Sequence, residues 1–294
     1  MNNNQLLKSR YQWLVYCGLI LIFIAAAWIM IQNEGLIQFS ADHDITIPFW
    51  HNWVISGALL LLILLLPGNS SDNNPFKNEN RKVVVHQSTI LTTLAFLLFI
   101  GFLLVPSDDV FVYFPIFKFL LLLTVPVLMF GIYKEKRSKN HCLSSHTYLK
   151  DNQWIYPSII TVVWIILYFF SPFASPEVPG YEMDLIVLII GASFSFLMNS
   201  VLEELFYRVW LQTRLEVLLG TWPAIMASSL LWAIWHMAIQ GGDSADIAFS
   251  NVIINQGVTG LFLGFLWAKY RNVWVLIIIH GLMNFPLQIL AGLF

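Results

Sequence analysis

Charge is what this chain has least of. Asp, Glu, Lys and Arg make up 11% of its 294 residues, against 58% hydrophobic residues. A soluble domain needs roughly 25% charged residues to cover its surface, so a water-soluble globule is excluded. A basic excess is missing too. The formal net charge is −2, which removes the positive field that a nucleic-acid partner requires, and none is expected. Cysteine is nearly absent. Cys17 lies in the first apolar run and Cys142 in a basic loop, a spacing that gives neither a metal site nor a disulfide framework.

What the chain does have is long apolar runs, several of them near the 18 residues that cross a bilayer as a helix. Nine segments stand out, at about 13–31, 48–66, 88–105, 113–132, 155–172, 187–212, 222–240, 249–268 and 273–293. The fourth and sixth admit tilting or a break. The expected fold class is therefore all-α, a polytopic transmembrane helical bundle of about 8–9 spans. Lys8 and Arg10 before an apolar run with Ala25-Ala26-Ala27 outline a signal peptide. The run continues to Ile31, which favours a retained first span. Lys and Arg alternate with Asp and Glu from loop to loop. Lys77, Arg81 and Lys82 fall in one polar loop, 67–86, and Lys134, Lys136, Arg137, Lys139 and Lys150 in another, 133–154. The positive-inside rule then puts the N-terminus in the cytoplasm. An integral, multi-pass protein of the plasma membrane is expected. The second basic loop divides a four-span N-terminal region, 1–150, from a C-terminal core, 151–294.

Ionisable side chains inside a span are costly and mark function. The N-terminal region offers few. Lys118 lies within about a turn and a half of its helix end and can snorkel. His51 and His86 sit at span ends, where the interface solvates them. The sixth segment differs, reading Glu203-Glu204-Leu205-Phe206-Tyr207-Arg208 within an apolar run. Glu204 and Arg208 are i and i+4, share a face and can pair. Glu203 points about 100° away and must find another partner. The seventh segment carries Trp232 and His236, and the ninth His280 and Asn284, again at i and i+4. A lone His in a span is as readily a packing group as a ligand. Three segments supplying carboxylate, imidazole and carboxamide make a convergent polar site the better reading. The chemistry suits peptide hydrolysis. A carboxylate takes a proton from water, imidazoles hold a metal or share the proton, and an amide donor stabilises an oxyanion. Gly260-x-x-x-Gly264 reads as a packing motif.

These residues resemble the motifs of the CAAX-protease and bacteriocin-processing family of intramembrane proteases, also called Abi or CPBP. Its E-E-x-x-x-R is matched by Glu203, Glu204 and Arg208. Its F-x-x-x-H is matched by Trp232 and His236, with Trp for Phe, and its H-x-x-x-N by His280 and Asn284. The resemblance covers about 185–290 and implies an intramembrane endopeptidase acting on membrane-associated protein or peptide substrates. It implies that Glu203 activates water with His236, that His280 and Asn284 bind metal or stabilise the oxyanion, and that Glu204 and Arg208 form a structural ion pair. One divalent metal, zinc among the candidates, would be held by His236, His280 and Glu203; a metal-free glutamate mechanism is the alternative. Two other classes would use such residues: a non-proteolytic membrane chaperone or immunity protein, and a proton-coupled transporter. A transporter should string its polar groups along a path. No feature of the sequence specifies the substrate or an oligomeric state. The protease reading requires Glu203, His236, His280 and Asn284 to face one polar cavity, with Glu204 turned to Arg208 and little contribution from the first four spans.

Overall fold

A computed structural model describes residues 10–39, 45–68, 74–106, 109–132, 152–176, 184–240 and 244–284. They form a helical membrane bundle. Its helices are α1 (Gln12–Gln32), α2 (Trp50–Leu65), α3 (Arg81–Leu104), α4 (Val112–Ile132), α5 (Asn152–Phe170), α6 (Leu185–Leu219), α7 (Thr221–Trp235), α8 (Ala245–Tyr270) and α9 (Val273–Asn284). Each of the nine falls on one of the expected apolar segments. The part of the ninth segment beyond Asn284 lies outside the described residues. Among the described residues five helices, α1, α3, α4, α6 and α8, are long and apolar enough to cross a membrane. Between α1 and α2 sits a small hairpin, β1 (Leu36–Gln38) antiparallel to β2 (Thr46–Pro48), with Ile37 opposite Ile47.

Local chemistry sets the helix ends. Asn80 and Asp184 accept the backbone N–H of Lys82 and Ile186, capping α3 and α6. Gly220, at φ +91°, makes the break between α6 and α7, a conformation that favours glycine. Asn272 accepts from the N–H groups of Trp274 and Val275 at the start of α9.

Helix α7 is the axis of the bundle, buried along most of its length and packed by α1, α3, α6 and α8. Small residues allow this. A Cβ on Gly260 would stand 2.9 Å from the Ser229 Cβ, and one on Gly264 2.9 Å from the Gln212 Oε1, so the glycine motif on α8 does serve close packing. The main hydrophobic core runs from Ile55 on α2 through Leu98 on α3 and Leu122 on α4 to Ile279 on α9. It crosses the boundary expected near residue 150 without a break. The first half of α6 faces outward, with Ile186, Val187, Ile189, Ile190 and Leu197 exposed, as lipid contact requires.

Wide π-helical turns interrupt three helices, at Phe119–Thr124 in α4, at Phe196–Val201 and Glu204–Gln212 in α6, and at Ile253–Gly257 in α8. A π turn releases backbone carbonyls from the usual ladder, and inside a bilayer they need donors. In α8 those donors come from α2: Trp53 Nε1 reaches the Ile254 carbonyl at 2.9 Å, and Asn52 Nδ2 the Asn255 carbonyl at 3.0 Å.

Candidate active site

Helix α6 carries the two adjacent carboxylates at its second π turn, both 1% exposed. They turn to different partners. Glu204 Oε2 lies 3.4 Å from Arg208 Nε, a charge contact rather than an aligned hydrogen bond. Its Oε1 is 2.9 Å from His280 Nδ1. Arg208, wholly buried, also donates from Nη1 to Ser228 Oγ at 3.3 Å. The expected i, i+4 pair is present, and His280 joins it, whereas the sequence reading assigned His280 to the Glu203 side.

Glu203 finds its own partners. Trp232 Nε1 donates to Oε2 at 2.5 Å. The Lys118 ammonium forms an ion pair with Oε1. Lys118 is 0% exposed; it does not snorkel. Its Nζ donates to Asn199 Oδ1 at 2.8 Å and lies 4.0 Å from the Phe114 ring centroid and 4.1 Å from that of Trp235. The expectation that the first four spans contribute little to the site is therefore overturned. Position along the segment misled here. Pro115 lies one turn before Lys118 and a π turn begins directly after it, irregularities that an ideal helix would lack. The readable signal was that Lys118 is the lone charge in the segment 113–132.

Trp232 is where the motifs meet. Its ring lies 5.0 Å from His236 and 5.4 Å from His280, both edge-on, with the Arg208 guanidinium 5.2 Å from the ring. The exchange of Trp for Phe in the second motif thus has a consequence that the sequence reading missed: only the indole carries an N–H to donate to Glu203. His236 lies on the 3₁₀ turn that ends α7. Its Nδ1 is 2.9 Å from the carbonyl of Trp232, and its ring centroid lies 3.8 Å from that of Trp235, the planes tilted by 32°. Asn284, exposed at the end of the described part of α9, donates to Ser200 Oγ at 3.2 Å. Glu203, His236 and His280 are gathered around one indole, while Asn284 stands apart on Ser200.

The expected site for one divalent metal comprises Glu203, His236 and His280. Among the described residues no three of His, Cys, Asp and Glu are grouped to hold one. Glu203 is engaged by an ammonium and an indole N–H, whereas His280 and His236 are held at Nδ1, by Glu204 and by a backbone carbonyl, contacts of the kind that orient Nε2 in metal sites.

Polar residues also continue along α6 beyond the site. Gln212 bonds Glu216 at 3.0 Å and the Gly264 carbonyl at 2.8 Å, Ser228 bonds Gln212 at 3.2 Å, and Glu216 pairs with Arg271. From Ser200 to Glu216 this column spans about 24 Å of helix. It is the kind of string that a transporter would use, yet Arg208 sits in its middle. A guanidinium keeps its proton in proteins and blocks relay along the column.

Residues 184–286 match the family described as type II CAAX prenyl endopeptidase Rce1-like. The matched segment holds Glu203, Glu204, Arg208, Trp232, His236, His280 and Asn284, whereas Lys118 precedes it in the chain. No curated protein and no solved structure matches the chain.

Proposed function

We propose that this chain, whose residues 184–286 resemble the CAAX proteases, is an intramembrane endopeptidase in which Glu203 takes a proton from the attacking water. The observation that carries the reading is the pair of buried carboxylates at one π turn, each with a separate cation. A carboxylate is kept ionised in a bilayer only by such compensation. Peptide hydrolysis needs a base and an electrophilic partner set side by side. Glu203 supplies the first. Arg208 and His280, held by Glu204, supply the second, and Arg208 Nη2 and the Tyr207 hydroxyl retain unused hydrogen-bonding capacity for a polar substrate group. His236 stands against Trp232 to share the proton load. The ammonium and the indole N–H that already hold Glu203 favour the metal-free form of the mechanism.

The Glu204–His280 contact favours a second reading. If Nδ1–H donates to Glu204, His280 Nε2 presents a lone pair and becomes the base, as carboxylate-oriented histidines do elsewhere. The substrate class implied by the family is a prenylated protein C-terminus; the lipid bilayer delivers it, and the loop charges place the N-terminus in the cytoplasm. The test is cleavage of a quenched-fluorescent farnesylated Cys-a-a-X peptide by purified full-length protein in liposomes. Wild type should cleave, and Glu203→Gln should lose roughly 10²-fold or more. Near-full activity in Glu203→Gln with loss in a folded Glu204→Gln would assign the base to His280. Proton flux without cleavage would return the chain to the transporters.

A further inference from the structure

We propose that Lys118 is a catalytic acid, delivering a proton to the departing amine of the peptide bond; this rests on the peptidase reading. The two neighbouring carboxylates on α6 are served by different cations, Arg208 for Glu204 and Lys118 for Glu203. Where compensation alone is needed in a buried site, arginine is the better residue, being weakly hydrated and permanently charged. Lysine differs in one chemical respect: it can release its proton in a buried site.

Hydrolysis moves two protons, one off the water and one onto the leaving nitrogen. A lone carboxylate can do both if it swings from one to the other. Glu203 is clamped at both oxygens, by Lys118 from α4 and by Trp232 from α7. A second group must then face the nitrogen. Lys118 has three N–H donors, of which the oxygens of Glu203 and Asn199 take two. The rings of Phe114 and Trp235 hold the ammonium by its charge without accepting its proton.

The protons balance. Water's oxygen bonds the carbonyl carbon while one of its protons passes to Glu203, and the carbonyl π electrons move to oxygen. When the tetrahedral intermediate collapses, that pair re-forms the C=O bond. The C–N bond breaks, its electrons stay on nitrogen, and nitrogen takes a proton from the Lys118 ammonium. The neutral amine of Lys118 then recovers the proton held by Glu203. One water is consumed and both residues return to their starting charges.

Lys118→Arg separates this role from charge compensation. In the liposome assay with the farnesylated peptide, Lys118→Arg should keep near-wild-type resistance to thermal aggregation and lose about 10²–10⁴-fold in kcat. Lys118→Ala should lose activity similarly and recover part of it with added methylamine, but none with added guanidinium. Lys118→Arg at more than about a tenth of the wild-type kcat, against that 10²-fold expectation, overturns the proposal. If Lys118→Arg does not fold, failure of methylamine to rescue Lys118→Ala overturns it instead. No cleavage by wild type removes the peptidase reading and the relay with it, whereas activity in both wild type and Lys118→Arg removes the relay alone.

Discussion

Trp232→Phe restores the residue that the family pattern carries and deletes one atom group that this structure uses. The indole N–H donates to the buried Glu203 carboxylate, with Trp232 3% and Glu203 1% exposed. A hydrogen bond to a charged group contributes about 1.5–3 kcal/mol. The Arg208 contact with the ring is weakened as well, adding about 0.5–1 kcal/mol. The expected loss is thus about 2–4 kcal/mol, read as the shift in unfolding free energy in mixed micelles titrated with SDS. Trp235→Phe is the matched control, because the Trp235 indole N–H has no hydrogen-bond partner. The decisive measurement is a double-mutant cycle with Glu203→Gln. Glutamine keeps an oxygen to accept the indole, but a neutral bond is about half as strong, so a coupling of about 0.75–1.5 kcal/mol should remain. If Trp232→Phe costs the same in both backgrounds to within about 0.5 kcal/mol, the bond does not stabilise the carboxylate and the reasoning fails.

Glu204→Gln leaves Arg208 buried without its carboxylate and should cost about 3–5 kcal/mol, whereas Glu203→Gln should cost less, since Lys118 can shed its proton and Arg208 cannot; an equal loss would show that Lys118 stays charged without Glu203. Dialysis against EDTA should leave peptide cleavage unchanged, and elemental analysis of active protein should find less than one transition metal per chain; a stoichiometric metal whose removal abolishes cleavage would restore the ligand reading of Glu203, His236 and His280. Single cysteines placed in the loops 67–86 and 133–154, in a background lacking Cys17 and Cys142, should resist impermeant maleimide on intact cells, and efficient labelling of both would invert the topology.

The bundle was legible because hydrophobic run length follows directly from the thickness of a bilayer, and all nine helices lie where the apolar segments do. The pairing of Glu204 with Arg208 was legible because it is local, four residues along one helix. What failed to show in the sequence depends on the third dimension. The reach of Lys118 to Glu203 crosses 85 residues of chain, a tertiary contact that periodicity cannot register. The pairing of His280 with Glu204 rather than Glu203 likewise depends on how α9 packs against α6, 76 residues apart in the chain. The hairpin of β1 and β2 is short enough to leave no alternating pattern.

The column on α6 and the lone lysine on α4 give the two sides of the site unequal freedom. Sliding or turning α6 would break its links to α7, α8, α9 and Arg271 together. Among the described residues, the hydrogen bonds and the ion pair from α4 to α6 all issue from one flexible side chain. The site therefore has a fixed wall and a yielding one. On the peptidase reading, an extended peptide would meet least resistance at the α4 seam, where a single ammonium makes the polar links. The residue that closes this seam is the same one that neutralises Glu203.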